Sequence, residues 1–125
     1  MKETKIYISV PITGRELNNV KNSIERARKR LKSIGVHEDR IVDPLTINAA
    51  DGVPETEKSY GELMGVCIRT LIDDCTHIYY CDGYAASKGC RLEERAAELY
   101  RKKEMYSDDD SDILARKCYE RESEL

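Results

Sequence analysis

The fold is decided by residues 76–100, which read THIYYCDGYAASKGCRLEERAAELY. The first seven of these are largely β-branched and aromatic, which is typical of a buried strand. A turn with glycine follows, and Ser87 stands where the N-cap of a helix is expected. The helix that begins there places Glu93 on a face with three residues at offsets of three, four and seven: Ala96, Ala97 and Tyr100. A carboxylate on a buried face is costly unless it is used, so Glu93 is a candidate functional residue.

The same stretch predicts an anion site. A strand, a Gly/Ser turn and a helix N-terminus direct free backbone N–H groups and the positive end of the helix dipole at a ligand. An ordinary helix start also fits, because glutamate is common in a first turn for dipole reasons alone. This stretch by itself favours an ordinary helix start over an anion site, so the choice depends on evidence from the rest of the chain.

Strands and helices alternate along the rest of the chain. Residues 5–10 read as a first strand, 40–43 as a short second strand and 104–106 as a short edge strand. The first helix carries apolar residues at steps of three and four and stops at Gly35: Leu17, Val20, Ile24, Ala27, Leu31 and Ile34. A capping box, Ser59 to Glu62, opens the second helix. Residues 45–58 are predicted to be irregular, and a lid over the site and a flexible loop fit this segment equally well.

This alternation predicts an α/β fold, because crossovers of this length join parallel strands that are covered on both sides. We expect a single-domain, flavodoxin- or Rossmann-like three-layer sandwich with a parallel sheet of four to five strands. Residues 1–106 would form the α/β domain, and residues 107–125 an acidic turn and a C-terminal helix or tail of the same domain.

Composition excludes several classes of function. Charged residues make up 36% of the chain, its net charge is −3 and its mean hydropathy is −0.64, with no basic block. These values argue against a nucleic-acid polymer as partner. The chain has neither a membrane-spanning apolar run nor a signal peptide, so we expect a soluble, cytoplasmic protein that does not bind membranes. The five cysteines are odd in number and form no Cys-x-x-Cys pair, which predicts reduced thiols. His37 and His77 have no cysteine or histidine at ligand spacing, so we expect no metal site, and we expect no cofactor.

Two polar turns follow strands that should be neighbours. Residues 9–15 follow the first strand and residues 83–89 follow the third, and both contain Ser and Gly. The carboxyl ends of parallel strands lie at one edge of a sheet, where ligands bind in folds of this kind. The two turns are therefore expected to meet and to form the binding site together.

These turns carry a resemblance to a known group. The run from Lys5 to Arg15, KIYISVPITGR, is similar to an opening Tyr-x-x-Gly-Pro-x-x-Gly motif, and the segment from Met64 to Glu93 matches a second motif ending in GYAASKGCRLE. Both resemble the nucleoside 2-deoxyribosyltransferase-like superfamily, including its small phage and prophage members of unassigned function. The likeness covers roughly residues 5–101.

The resemblance implies an N-glycosidase or deoxyribosyltransferase in which Glu93 is the nucleophile that attacks the anomeric carbon. It implies that Tyr7 places the glutamate or the sugar, although an ordinary core tyrosine fits that position nearly as well. The implied substrate-binding residues lie in the two turns: Ser9, Pro11, Thr13, Gly14, Arg15, Tyr84, Ser87 and Gly89. It also implies a homodimer or a higher homo-oligomer, with the second helix as a candidate interface.

Ser87 indicates the substrate class. Relatives that act on free deoxynucleosides tend to carry aspartate six residues before the glutamate, whereas those that act on nucleoside 5′-monophosphates carry serine, because a carboxylate repels phosphate. This chain has Ser87 with Lys88 beside it and Arg15 in the other turn. The resemblance therefore points to a small-molecule nucleotide, while a role for Ser87 as an N-cap stays open beside it.

The chain departs from the superfamily pattern at two positions, and the second of them supports an alternative. Val10 stands where a glycine often precedes the proline, and Cys67 stands where relatives usually have an aspartate that handles the base or the sugar. The loss of that aspartate favours a non-catalytic nucleotide-binding protein, a sponge or a sensor. Cys67 and Cys90 are also candidate nucleophiles, but neither histidine is placed to act as a base, and core packing is the better interpretation.

Overall fold

The computed structural model describes residues 3–107. It contains four strands, β1 (Ile6–Ser9), β2 (Ile41–Val42), β3 (His77–Tyr80) and β4 (Lys103–Tyr106), and four helices, α1 (Leu17–Ser33), α2 (Pro44–Ala49), α3 (Tyr60–Asp74) and α4 (Lys88–Leu99). The sequence predicts an acidic turn and a C-terminal helix or tail for residues 107–125, and all of this segment after residue 107 lies outside the described residues.

The four strands form one parallel sheet in the order β2-β1-β3-β4. Ile6 is aligned with Ile41 on one side of β1 and with His77 on the other. The predicted α/β sandwich is therefore confirmed, with four strands and with β4 at an edge. Strand order reverses between β1 and β3, and such a switch point opens a crevice at the carboxyl ends of the strands.

Helix α1 covers one face of the sheet with a largely apolar core. Its buried residues Val20, Ile24, Ala27 and Leu31 pack on the side chains that alternate toward it from the strands: Ile6, Ile8, Tyr79, Cys81 and Met105. The helix ends at Gly35, whose φ of 97° is left-handed and lets the Val36 N–H donate to the Leu31 carbonyl. Leu17 is an exception to the predicted stripe, because it is the first helical residue and 55% of it is exposed.

Helices α3 and α4 cover the opposite face. Cys67, Leu71 and Ala97 pack there on Tyr7, Ile78 and Tyr80 of the strands. The capping box predicted at the start of α3 is present, with the Ser59 hydroxyl accepting from the Glu62 N–H at 3.1 Å. The prediction that Tyr100 shares the buried face of α4 is wrong, because α4 ends at Leu99 and leaves Tyr100 57% exposed.

The prediction that residues 45–58 are irregular is wrong in part. Helix α2 occupies Pro44–Ala49, and a short 3-10 turn occupies Glu55–Glu57. Asp43 caps α2 by accepting from the Thr46 N–H at 2.9 Å, and Pro44 stands at its first position. An aspartate followed by proline is a recognised helix start, so this signal was present in the sequence.

Candidate functional site

A cavity of about 160 Å³ opens at the carboxyl ends of β1 and β3, on the face covered by α3 and α4. The turn after β1 contributes Val10, Ile12 and Thr13, and the start of α4 contributes Ser87 and Gly89. Helices α2 and α3, the connection between them and the α4 core supply the rest: Pro44, Leu45, Asn48, Glu55, Tyr60, Leu63, Met64, Cys67, Cys90 and Glu93. The two predicted turns thus meet at one cavity.

Glu93 is held in this cavity by two hydroxyl groups from β1. The Tyr7 hydroxyl donates to Oε2 of Glu93 at 2.5 Å, and the Ser9 hydroxyl donates to Oε1 at 2.7 Å. Tyr7 and Ser9 reach the same carboxyl group because residues two apart in a strand point to the same face. Both are fully buried, and Glu93 is only 4% exposed. The sequence predicted Tyr7 and Glu93 as partners but interpreted Ser9 as a substrate contact, whereas here Ser9 binds the glutamate.

Burial governs the protonation of this group. It raises the pKa of Glu93 to about 7, against the two hydrogen bonds from Tyr7 and Ser9, which lower it. Burial also raises the pKa of Tyr7 well above its usual value, and the neighbouring Glu93 charge adds to that rise. Tyr7 therefore remains a hydrogen-bond donor at neutral pH, while Glu93 divides between its acid and its carboxylate.

The cysteines at the site are unsuited to nucleophilic catalysis. Burial raises the pKa of Cys67 to about 11, and it raises the pKa of Cys90 as well. Both thiols are therefore protonated at neutral pH, and a protonated thiol is a poor nucleophile. Cys67 lies between Asn48 and Tyr7, since the Asn48 amide nitrogen is 3.5 Å from its sulfur and the thiol contacts the Tyr7 hydroxyl.

Residues that the sequence did not single out close the cavity on the α2 side. Asn48 is 5% exposed, and its side-chain amide donates to the main-chain carbonyls of Pro44 at 3.1 Å and Leu63 at 3.3 Å. Lys58 fastens the connection after α2 by donating to the Asn48 carbonyl and to Asp51. This connection carries Glu55, the second carboxylate among the cavity-lining residues of the described chain. Sequence patterns did not identify Lys58 and Glu55, because a loop leaves no periodic signal, and Asn48 lies on a helix too short for a periodic pattern.

The first turn of α4 forms the mouth of the cavity. Ser87 caps the helix by accepting from the Cys90 N–H at 3.3 Å, as predicted. A Cβ at Gly89 would lie 3.1 Å from the Tyr60 hydroxyl, so glycine allows α3 to approach closely here. Thr13, Ser87 and Gly89 also line an adjoining groove together with Lys88. Main-chain N–H groups at the first turn of a helix have no partner within the helix, which favours an anion at this place.

The other predicted site residues do not line the cavity. The Arg15 guanidinium donates to the Pro11 carbonyl at 2.8 Å and to the Ser23 hydroxyl at 2.9 Å, which directs it toward α1. Tyr84 stacks on Tyr80 with ring centroids 4.6 Å apart. Pro11 lines the adjoining groove, and Gly14, with a φ of 78°, shapes the turn after β1.

No group of three or more His, Cys, Asp or Glu residues within 3–107 is arranged to hold a metal ion. No helix of that range combines the length and the apolar character that a membrane crossing requires.

Comparisons with known proteins give one match, which covers the whole α/β core. Neither a curated protein nor a solved structure is significantly similar to the chain. A family model described as a domain of unknown function, DUF4406, matches residues 4–106. That range begins just before β1 and ends with β4, so it includes Tyr7, Glu93 and every cavity-lining residue. The chain therefore belongs to the DUF4406 family.

Proposed function

We propose that this protein cleaves the N-glycosidic bond of a nucleoside 5′-monophosphate, with Glu93 as the nucleophile. One observation carries the proposal: a buried glutamate lies at a cavity and receives one hydroxyl donor on each carboxyl oxygen. A purely apolar core gains nothing from such a group, because burial of a carboxyl is costly. The resemblance of the two turns to nucleoside 2-deoxyribosyltransferases supports the same chemistry.

The reaction follows the logic of retaining glycoside cleavage. A carboxylate oxygen of Glu93 bonds to the anomeric carbon as the carbon–nitrogen bond breaks, and the bonding electrons leave with the base, which takes up a proton. Water then attacks the same carbon and loses a proton to the solvent, which balances the proton that the base takes up, so that the sugar phosphate is released and Glu93 is restored. A second base in place of water gives transfer. Tyr7 and Ser9 fix the carboxylate orientation, and the pKa of about 7 leaves a large ionised fraction at neutral pH.

The mouth of the cavity supports a phosphorylated substrate. Ser87 and the free N–H groups of the first turn of α4 suit a phosphate, and Lys88 adds a positive charge in the adjoining groove. Arg15 is engaged with α1 and is left out of this assignment. The apolar lining from Val10, Leu63 and Met64 suits the flat face of a base.

A non-catalytic nucleotide-binding protein is the second candidate, and Cys67 favours it. Members of the superfamily that the chain resembles usually carry an aspartate at this position, whereas burial keeps the Cys67 thiol neutral, with a pKa of about 11. A neutral thiol supplies neither the charge nor the acid–base function of a carboxylate. Glu55 places a second carboxyl group at the cavity.

The test is a panel of ribo- and deoxyribonucleoside 5′-monophosphates, with release of free base followed by chromatography. We expect release from at least one nucleotide by the wild type and none by Glu93→Gln, which keeps the size of the side chain. Release that is equal in both proteins would contradict the role of Glu93. Tight binding of a nucleotide by both proteins without any release would support the binding protein instead.

A further inference from the structure

Asn48 is a cavity-lining residue that carries an unsatisfied buried acceptor. Its Oδ1 is buried and has no hydrogen-bond partner within residues 3–107. Buried polar atoms are nearly always paired, and one that is not calls for an explanation such as a missing ligand. Asn48 also lines the cavity, so a bound molecule can reach the residue.

The orientation of the Asn48 amide is fixed by the main chain. Its nitrogen donates to two carbonyl oxygens, of Pro44 and of Leu63, and these groups accept only. Rotation of the amide by 180° would set its oxygen against both carbonyls. Oδ1 must therefore remain on the other side, as a preorganised acceptor.

The surroundings of Asn48 select the kind of molecule. Pro44, Leu45, Leu63 and Met64 give this part of the cavity an apolar lining, which suits a flat ring. A cavity of about 150 Å³ is enough to hold a benzene ring, and the volume here is about 160 Å³. The ligand must bring a hydrogen-bond donor to Oδ1, because an acceptor there would be repelled.

We propose that Asn48 Oδ1 accepts a hydrogen bond from the exocyclic amino group of a nucleobase and so selects amino-bearing bases. The inference rests on the proposed function for the ligand class, a nucleobase, but it requires no bond cleavage. Asn48 also contacts Cys67, which contacts Tyr7, the donor to Glu93. Occupancy of the base site is thereby connected to the nucleophile through two intervening side chains.

The test compares ligands that differ only at the amino group. Binding of adenine and 6-methylpurine, and of cytosine and 4-methylpyrimidin-2-one, is measured by calorimetry with the wild type, Asn48→Ala and the control Asn22→Ala, which changes an exposed residue of α1. A methyl group has the size of an amino group but donates no hydrogen bond. In the wild type and the control, we expect the amino compound of at least one pair to bind about tenfold more tightly or better.

The Asn48→Ala variant is expected to lose this preference, so that both members of the pair bind equally. A general loosening of the cavity would weaken both members and leave their ratio unchanged, which would overturn the proposal. Failure of the wild type to prefer either amino compound, or to bind any of the four, would also overturn it. Base release that depends on Glu93 without any amino preference would support the proposed function but contradict the role of Asn48. An amino preference without base release would support the role of Asn48 and contradict the proposed enzymatic activity.

Discussion

The two faces of the sheet are built from the same strands but contain different chemistry. Toward α1, the strands present Ile6, Ile8 and Met105 to an apolar helix stripe. Toward α3 and α4, β1 presents Tyr7 and Ser9, which bind a buried glutamate. Since alternate residues of one strand serve both faces, β1 contributes at once to the stability of the fold and to the site. Substitutions on the two faces should therefore separate stability from activity.

The largest expected effect is on the α3/α4 face. Glu93→Gln should reduce base release by about three orders of magnitude or more, because it removes the nucleophile while Tyr7 and Ser9 keep a hydrogen-bonding partner. Single-turnover assays with circular dichroism as a folding check measure this. The control is Glu25→Gln on the exposed surface of α1, which should leave the rate unchanged. A modest loss in Glu93→Gln, within about tenfold, would contradict the assignment.

The opposite face should show the reverse behaviour. Leu31→Ala removes a fully buried side chain from the α1 core, and we expect it to lower the free energy of unfolding by about 2–5 kcal/mol. The rate per folded molecule should stay near that of the wild type, because no α1 residue lines the cavity among the described residues. Urea unfolding and assays well below the melting temperature measure the two quantities. A loss of activity in fully folded Leu31→Ala would show that the faces are coupled.

Stability of the α3/α4 face should depend on pH. The pKa of Glu93 is about 7 in the folded protein, above its ordinary value of 4.5. Its contribution is therefore fully present below pH 4.5 and is lost as the pH rises through about 7. Relative to Glu93→Gln, the wild type should lose about 3 kcal/mol of unfolding free energy between pH 4.5 and pH 8. A difference between the two proteins that does not change with pH would mean that Glu93 is not buried as described.

Smaller effects should come from the donors to Glu93. Tyr7→Phe removes the hydroxyl at 2.5 Å and should raise the pKa of Glu93 further, because a hydrogen bond to the charged form is lost. We expect base release at pH 7 to fall about 10- to 100-fold and the inflection of the pH–rate profile to move above 7, with partial recovery at pH 9. Tyr100→Phe, on an exposed tyrosine outside the site, is the matched control. A profile that keeps its inflection would make Tyr7 a packing residue only.

The smallest expected effect concerns the mouth of the cavity. Ser87→Asp keeps an N-cap for α4 but adds a negative charge where we propose that phosphate binds. The ratio of kcat/KM for a nucleoside 5′-monophosphate to that for its free nucleoside should fall about tenfold or more. A larger loss of kcat/KM for the monophosphate than for the nucleoside would show the effect of charge, since a folding defect would lower both values together.

Much of this arrangement could be predicted from the sequence, and the reasons are physical. Strands, long helices and the caps at Ser59 and Ser87 leave periodic or local signals, and the meeting of the two turns follows from parallel topology. Side-chain direction leaves no such signal. Arg15 turns toward α1, because the Pro11 carbonyl and Ser23 offer it acceptors there. Asn48 lies on a short helix whose start is marked only by Asp43-Pro44, and its role depends on partners distant in sequence.

The most direct measurement of the central claim is mass spectrometry of the protein quenched during turnover of its best nucleotide. We predict a sugar phosphate attached to the peptide that contains Glu93, and its absence in Glu93→Gln. A sugar phosphate on any other peptide, or a burst of free base with no modified peptide, would contradict the account of Glu93 as the nucleophile.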